Sequence, residues 1–142
     1  MITAGGVALD ILHSFRSMLD IKGIKYVQAD DSIQMVLCSG PHKWKCAVTA
    51  GGNGFLCIYN RYPWKVPPER TGRLLSEMNV MNEELAAGCF MVSGDHAVFR
   101  YSLHVADPLF FTDTAAEHFA SAAATTDRAW DKIYSALFSA EV

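Results

Sequence analysis

The side chains that could ligate a metal, or act as bases and nucleophiles, are dispersed along the chain. They are five histidines and four cysteines: His13, His42, His96, His104, His118, Cys38, Cys46, Cys57 and Cys89. Their spacing contains neither H-E-x-x-H nor C-x-x-C, two patterns typical of zinc sites. The sequence therefore predicts no catalytic residue, no metal site and no cofactor. The cysteines are expected to be buried, reduced thiols within strands.

Two arrangements leave an enzyme open as a third hypothesis. A cysteine and a histidine could meet only in the folded chain and form a nucleophilic pair, although no cysteine begins a predicted helix, where its pKa would fall. The glycine-rich stretch 51–54 could cradle a phosphate. It lacks a following Lys-Ser/Thr and lies between two predicted strands, so a β-turn is the favoured interpretation.

Four side chains are candidates for contact with a partner: Trp44, Tyr62, Trp64 and Arg100. Arginine, and aromatic rings that carry a polar atom, are enriched at the energetic centres of protein interfaces. Trp64 stands in a proline-rich segment, which we expect to be neither regular helix nor regular strand. The alternative interpretation is that Trp64 is a lid over the core.

Four further residues are predicted to have structural roles. Pro67 lacks an N–H group and has a fixed φ, which suits the first turn of a helix, and Gly88 suits the position just after one. Asn79 and Asn82 lie three residues apart beside an apolar helical stripe, so their amides could cap backbone groups or a sheet edge. Ligand binding by these two amides is the alternative.

The first two helices are predicted from apolar residues that recur at steps of three and four. The first covers residues 3–21 or 6–21. The second covers residues 67–87, with an apolar stripe formed by Leu74, Leu75, Met78, Met81 and Leu85.

The last helix is predicted over residues 113–138 from the same kind of pattern. Thr112 or Thr114 could cap its start, and Thr114 with Glu117 fits a capping box. An unbroken helix of this length would extend ~39 Å, which is more than a small domain needs, so part of it would extend beyond the domain. Alternatively, the stretch 125–127 could begin a separate helix.

Six strands are predicted, from period-two alternation or, at 55–59, from a nearly continuous apolar run. They cover residues 24–29, 33–38, 43–49, 55–59, 89–93 and 97–105. The connections between neighbouring strands are short, and residues 94–96 read as a hairpin turn, so neighbours should be antiparallel. The element order is α-β-β-β(-β)-α-β-β-α. It predicts an α+β fold, with three helices packed on a single antiparallel sheet of five or six strands.

Composition narrows the class of protein. A length of 142 residues fits one domain spanning residues 1–142. The net charge of -3 argues against nucleic acid. We expect neither a signal peptide nor a membrane span, because the first residues are not basic and no apolar run approaches 20 residues. The expected location is the cytoplasm.

Three features predict a homodimer, and one of them is the predicted extension of the last helix beyond its own domain. Only 19% of the residues are charged, below the roughly 25% of typical domains. The strand at residues 55–59 is apolar on both faces, so one face needs a cover that three helices would not supply. The sequence leaves open whether the sheet or the last helix forms the dimer interface.

Several short motifs resemble the YbjN family of bacterial proteins, which are regarded as sensory-transduction regulators. They are the strand at 55–59, then V-P-P-E at 66–69, M-N-x-x-N-x-x-L-x-x-G-x-F at 78–90, V-x-R-Y at 98–101, and Asp127. The element order fits that family over nearly the whole chain. A departure lies at Met91 and Val92, where the family often has an acidic residue.

The resemblance implies a fold like that of type III secretion chaperones and no established catalytic residues. Better-known proteins of that fold bind segments of other proteins, often as dimers. The function predicted is therefore a non-enzymatic, chaperone-like regulatory module of the bacterial cytosol that binds an unidentified protein or peptide. A small-molecule-sensing domain is the alternative. A deep, closed pocket would favour sensing, whereas a shallow apolar groove would favour a peptide.

Overall fold

A computed structural model describes residues 4–140 of the chain. The helices and strands follow in this order: α1 (Ala4–Lys22), β1 (Val27–Ala29), β2 (Ser32–Ser39), β3 (His42–Ala50), β4 (Phe55–Lys65), α2 (Thr71–Glu84), β5 (Cys89–Ser93), β6 (His96–His104), α3 (Thr112–Arg128) and α4 (Trp130–Phe138). Short 3₁₀ turns, Pro68–Arg70 and Pro108–Phe110, lead into α2 and α3. The alternative start of the first helix at Thr3 lies outside the described residues.

The six strands form one antiparallel sheet in the order β1-β2-β3-β4-β6-β5. The predicted α+β fold is confirmed. The helices lie on one face of this sheet, where alternate strand residues such as Ile33, Val48 and Ile58 are aligned across β2, β3 and β4 and are buried. We call this the covered face, and the opposite one the open face.

The central strand β4 is longer than predicted. The sequence indicates a strand over residues 55–59 followed by an irregular stretch, but β4 continues to Lys65, which pairs with His96 of β6. The register shifts between Arg61 and Lys65. Pro63 lies within this shift, where a missing N–H costs no ladder hydrogen bond, so the proline does not end the strand.

Helix α2 is shorter than the predicted 67–87. Pro67 precedes the 3₁₀ turn, and its carbonyl accepts a hydrogen bond from the Arg70 N–H at 2.8 Å. The helix ends at Glu84 because Leu85 is already extended, so Gly88 is not the residue just after the helix. Leu74, Met78 and Met81 are buried as predicted, whereas Leu75 is exposed.

The predicted last helix is broken in two, at Ala129. The hydroxyls of Thr125 and Thr126 donate to the carbonyls of Ser121 and Ala122, a pattern that bends helices. The carbonyl of Thr126, which would bond the next turn of a continuous helix, instead accepts a hydrogen bond from the Tyr62 hydroxyl at 2.8 Å. The unbroken helix is therefore wrong. A separate helix does follow, but it begins at Trp130 and not at residues 125–127.

The break sends α4 back onto the domain. Ile133, Ala136 and Leu137 are buried, and α4 lies against α2, so the predicted extension of the last helix beyond the domain is also wrong. The predicted capping box does not form either. Helix α3 begins at Thr112, and the Thr114 hydroxyl donates to the Phe111 carbonyl at 3.1 Å.

Candidate binding surface on the open face of the sheet

The four predicted partner-binding residues do not form one surface. Trp44 and Tyr62 lie on the covered face and are only 2% and 0% exposed, so neither offers area that a partner could contact. Trp64 is half-buried near α4. Arg100 lies apart from these three, on the open face.

Three of the four join an aromatic cluster: Trp44, Tyr62, Trp64, Trp130, Tyr134 and Phe138. The Trp64 ring is edge-on to Trp130, with ring centroids 4.7 Å apart, and edge-on to Tyr134 at 5.2 Å. Trp64 thus covers the core beneath α4, which is the lid interpretation. Tyr134 and Phe138 are the exposed outer rings of the cluster.

Sequence reasoning missed the polar contacts beneath this cluster. The Asn60 amide nitrogen donates to the Thr126 hydroxyl at 2.9 Å, beside the bond from Tyr62 to the Thr126 carbonyl. Burial raises the pKa of Tyr62 well above its ordinary value. The signal available in the sequence is Asn60 itself. An asparagine at a covered-face position of an apolar strand needs a buried hydrogen-bond partner.

The Asn82 amide caps a sheet edge. Its nitrogen donates to the Phe90 carbonyl at 3.1 Å, and its oxygen accepts from the Phe90 N–H at 2.7 Å. Phe90 lies in β5, an edge strand, so Asn82 occupies the backbone groups that another strand would use. Asn79 is exposed on α2 and lies away from this contact.

Gly88 is required by both its backbone angle and its surroundings. Its φ is +80°, and a Cβ there would lie 2.5 Å from the Phe99 ring and 2.8 Å from the Arg100 carbonyl oxygen. Gly88 therefore lets the chain pass close to β6 as it enters β5.

Arg100 is held on the open face, on β6 beside the edge strand β5. Its guanidinium carbon lies 5.9 Å from the centroid of the Tyr59 ring, and one nitrogen lies 3.8 Å from the Cys57 sulfur. The Nε atom is buried and has no hydrogen-bond partner among residues 4–140. The charge of this side chain is permanent, so the open face carries a fixed cation.

A trough of about 710 Å³ lies on the open face next to Arg100. Its lining includes Val36, Lys45, Ala47, Tyr59, Arg61 and Val98, together with the segment 25–27 that leads into β1. These strand residues alternate with core residues such as Cys46 and Ile58, so they all point away from the helices. The trough is open along the sheet surface and is not enclosed by the fold.

The cysteines and histidines that could carry chemistry either lie apart from one another or already hydrogen-bond to other side chains. Cys46 is the one fully buried cysteine among residues 4–140, and burial raises its pKa to about 12. Cys38 is exposed, and Cys57 and Cys89 are half-buried. The expectation that all four are buried is therefore wrong, because Cys38, Cys57 and Cys89 lie on the open face. Within the described part of the chain, no group of three or more metal-ligating side chains is close enough to hold a metal.

A polar contact attaches the β2–β3 hairpin to the end of α3. The His42 Nδ1 atom lies 2.6 Å from one Asp127 oxygen, and the Ser39 hydroxyl donates to the other at 3.0 Å. The hydrogen bond from His42 holds the pKa of Asp127 below its ordinary value. Ser39 and His42 both bond the carboxylate and not each other, so this trio does not have the order of a nucleophilic triad.

Comparison with known proteins identifies the fold class. Neither a protein-family model nor a curated protein sequence matches the chain. A solved structure does match: YbjN from E. coli, for which a role as a transcription regulator has been suggested, at a TM-score of 0.53 and 13% identity. The match covers 82% of this chain and 91% of that one. The chain therefore has a YbjN-like fold.

No helix in the described residues has both the length and the apolarity needed to cross a bilayer.

Proposed function

We propose that this protein is a non-enzymatic, chaperone-like regulatory module of the cytoplasm that binds a segment of another protein on the open face of its sheet. The observation that carries the proposal is the trough on that face. It combines exposed apolar side chains with polar ones on a surface that no helix of the described chain covers. Large exposed apolar patches with a polar rim are typical of interaction sites.

The shape of the trough favours a peptide over a small molecule. Its volume of about 710 Å³ lies within the range of ligand pockets, which keeps small-molecule sensing as the second candidate. Ligand pockets, however, bury most of the ligand surface, whereas this trough is open along the sheet. An extended or helical segment laid across an open surface fits that geometry better.

Two variants with the same substitution on opposite sides of the protein test the proposed surface. Val36 on the open face and Val80 on α2 are almost equally exposed, at 53% and 54%. Each is replaced by Asp, and immobilised protein is used to capture binding proteins from an extract of the source cells. A protein that is retained at stoichiometric yield by the unchanged chain should be lost with Val36→Asp and kept with Val80→Asp.

The result that contradicts the proposal is retention by Val36→Asp as strong as by Val80→Asp. Thermal unfolding of both variants shows whether each is folded, since a surface substitution of this kind usually changes stability by less than about 0.5 kcal/mol.

We also propose a homodimer, with the exposed outer rings of the aromatic cluster as its interface. The cluster places Trp64, Tyr134 and Phe138 side by side near the end of α4. The open face is less suitable for self-pairing, because two copies would bring Lys45 and Arg61 of both chains together. Sedimentation at micromolar concentration should give twice the mass of 15.6 kDa, and Phe138→Ser should give the single mass. A monomeric unchanged chain would contradict this proposal.

A further inference from the structure

Charge is distributed unequally between the sheet and the rest of the molecule. The six strands contain five basic residues and no Asp or Glu; the basic residues are Lys43, Lys45, Arg61, Lys65 and Arg100. The whole chain nevertheless has a net charge of -3. The acidic residues therefore belong to helices, turns and termini, and the sheet is a basic surface on an acidic protein.

Four of these cations lack an acidic partner. The ion pairs among residues 4–140 join His42 to Asp127, and Lys65 and His96 to Asp95. Lys43, Lys45, Arg61 and Arg100 appear in none of them. All four point to the open face, because each pairs across the sheet with another open-face residue.

Two of the cations are placed directly opposite each other. Lys45 in β3 pairs with Arg61 in β4 in the antiparallel register. Like charges at directly opposed positions destabilise a sheet. The opposed cations therefore lower the stability of the free protein. A bound anion would offset their repulsion.

Apolar side chains flank this cationic pair. One row across the sheet runs from Val36 through Lys45 and Arg61 to Val98, and ends at Met91 in β5. The neighbouring row contains Ala47, Tyr59 and Arg100. A ligand that complements both rows must carry negative charge in its middle, opposite the cations, and apolar groups on either side.

We propose that the open face binds an acidic protein segment that also carries apolar side chains. This inference deepens the proposed protein-binding function and rests on it. The cations would pair with carboxylates of the segment, and its apolar side chains would cover Val36 and Val98. Sites that bind nucleic acid typically contact more phosphates than four cations can neutralise.

The sheet sets the length of the segment. Six strands spaced about 4.8 Å apart make a surface roughly 24 Å wide, which an extended peptide of about eight residues would cross. Lys45 and Arg61 lie on neighbouring strands in the row that such a peptide would follow.

The test uses labelled peptides and fluorescence anisotropy. The probe is a peptide of about 12 residues, long enough to cross the sheet, with Glu alternating with Ser in its middle and one Leu on each side of that acidic stretch. One matched peptide has Gln in place of Glu, and a second has Ser in place of Leu. A single-stranded oligo-dT of similar charge is the fourth probe. The Glu peptide should bind at least about tenfold more tightly than each matched peptide, and more weakly as salt rises.

A charge-matched pair of double variants locates the binding. Lys45→Glu with Arg61→Glu changes the open face, whereas Arg128→Glu with Lys132→Glu makes the same charge change on α3 and α4, on exposed positions. The first should weaken binding of the Glu peptide by about tenfold or more. The second should leave it within about twofold, because these residues lie across the domain.

Each other outcome overturns the inference in a distinguishable way. Equal binding of the Gln peptide would remove the requirement for acid and leave the protein-binding proposal intact. Tighter binding of oligo-dT through Lys45 and Arg61 would assign the face to nucleic acid. If no peptide binds the folded protein, the acidic-segment inference fails, while capture by Val80→Asp but not Val36→Asp would still support the proposed function.

Discussion

Trp44 and Lys45 are neighbours in β3, and Arg61 and Tyr62 are neighbours in β4, yet the members of each pair lie on opposite faces of the sheet. On the covered face, Tyr62 is buried, and its hydroxyl bonds the Thr126 carbonyl. On the open face, Lys45 and Arg61 oppose each other with no acidic partner among residues 4–140. The same two strands therefore pack the core on one face and present an exposed pair of cations on the other.

This difference predicts that stability and the proposed binding divide by face. Substitutions that reach the covered face should cost much free energy of unfolding. Matched substitutions on the open face should cost little, or even stabilise. The variants below test that division.

The largest change in stability is expected at Gly88, where the chain passes close to the Phe99 ring on the covered face. In Gly88→Ala, the new Cβ would lie 2.5 Å from the Phe99 ring, at a φ of +80°. The strained angle and the overpacking each cost about 1 to 3 kcal/mol, so we expect the free energy of unfolding to fall by about 2 to 6 kcal/mol. Urea unfolding measures the change.

Gly72→Ala is the matched control for Gly88→Ala. Gly72 lies in α2 with open space around its Cβ position, so alanine should stabilise the helix by about 0.5 to 1 kcal/mol. If both alanines change stability by the same amount, close packing at Gly88 is not what requires glycine there.

The second effect compares two tyrosines of β4 on opposite faces. Tyr62→Phe leaves the Thr126 carbonyl without its donor in a buried position, which should cost about 1 to 2 kcal/mol. Tyr59→Phe, on the open face, should stay within about 0.5 kcal/mol of the unchanged protein. Equal losses for the two variants in urea unfolding would contradict the division by face.

Part of the covered face could be predicted from sequence. Period-two alternation predicted strands at β3 and β6, and the spacing of Leu74, Met78 and Met81 predicted the buried stripe of α2. The break at Ala129 could not be predicted, because no Gly or Pro marks it. It depends on Tyr62, a residue distant in sequence, whose hydroxyl binds the Thr126 carbonyl.

The open face was harder to read from sequence. Lys43, Lys45, Arg61 and Arg100 are visible as single basic residues in three strands, but their meeting depends on the register between those strands. Binding was predicted from aromatic type, which selected Trp44 and Tyr62. Large aromatic rings also fill cores, so residue type alone did not separate the two faces.

The third prediction concerns pH and the contact that attaches the β2–β3 hairpin to α3. The hydrogen bond from His42 lowers the pKa of Asp127 in the folded state. This contact should therefore stabilise the protein above the ordinary Asp pKa of about 3.9, and the stabilisation should be lost as pH falls through the lowered folded value. The side chain of Asp127 is 35% exposed, so the loss should be under about 1 kcal/mol.

Asp127→Asn removes this contribution. Urea unfolding at several pH values between about 6 and 2 should show a shallower loss of stability for Asp127→Asn than for the unchanged protein. Asp131→Asn, an exposed position on α4, is the control and should keep the original slope. A slope unchanged by Asp127→Asn would mean that the bond to His42 contributes nothing to stability.

The smallest effect has the opposite sign and reaches the open face directly. Lys45 opposes Arg61 across the sheet, so Lys45→Gln removes a repulsion between like charges, and we expect a gain of about 0.2 to 1 kcal/mol in urea unfolding. Lys43→Gln changes the same residue type on the same strand and face, but Lys43 opposes Cys38 and no cation. That control should leave stability almost unchanged. If Lys45→Gln gains stability and binds the Glu peptide more weakly, the cationic pair lowers stability and serves binding. If Lys45→Gln instead loses stability, the pair is supported within the fold, and the reason for expecting an anion there fails.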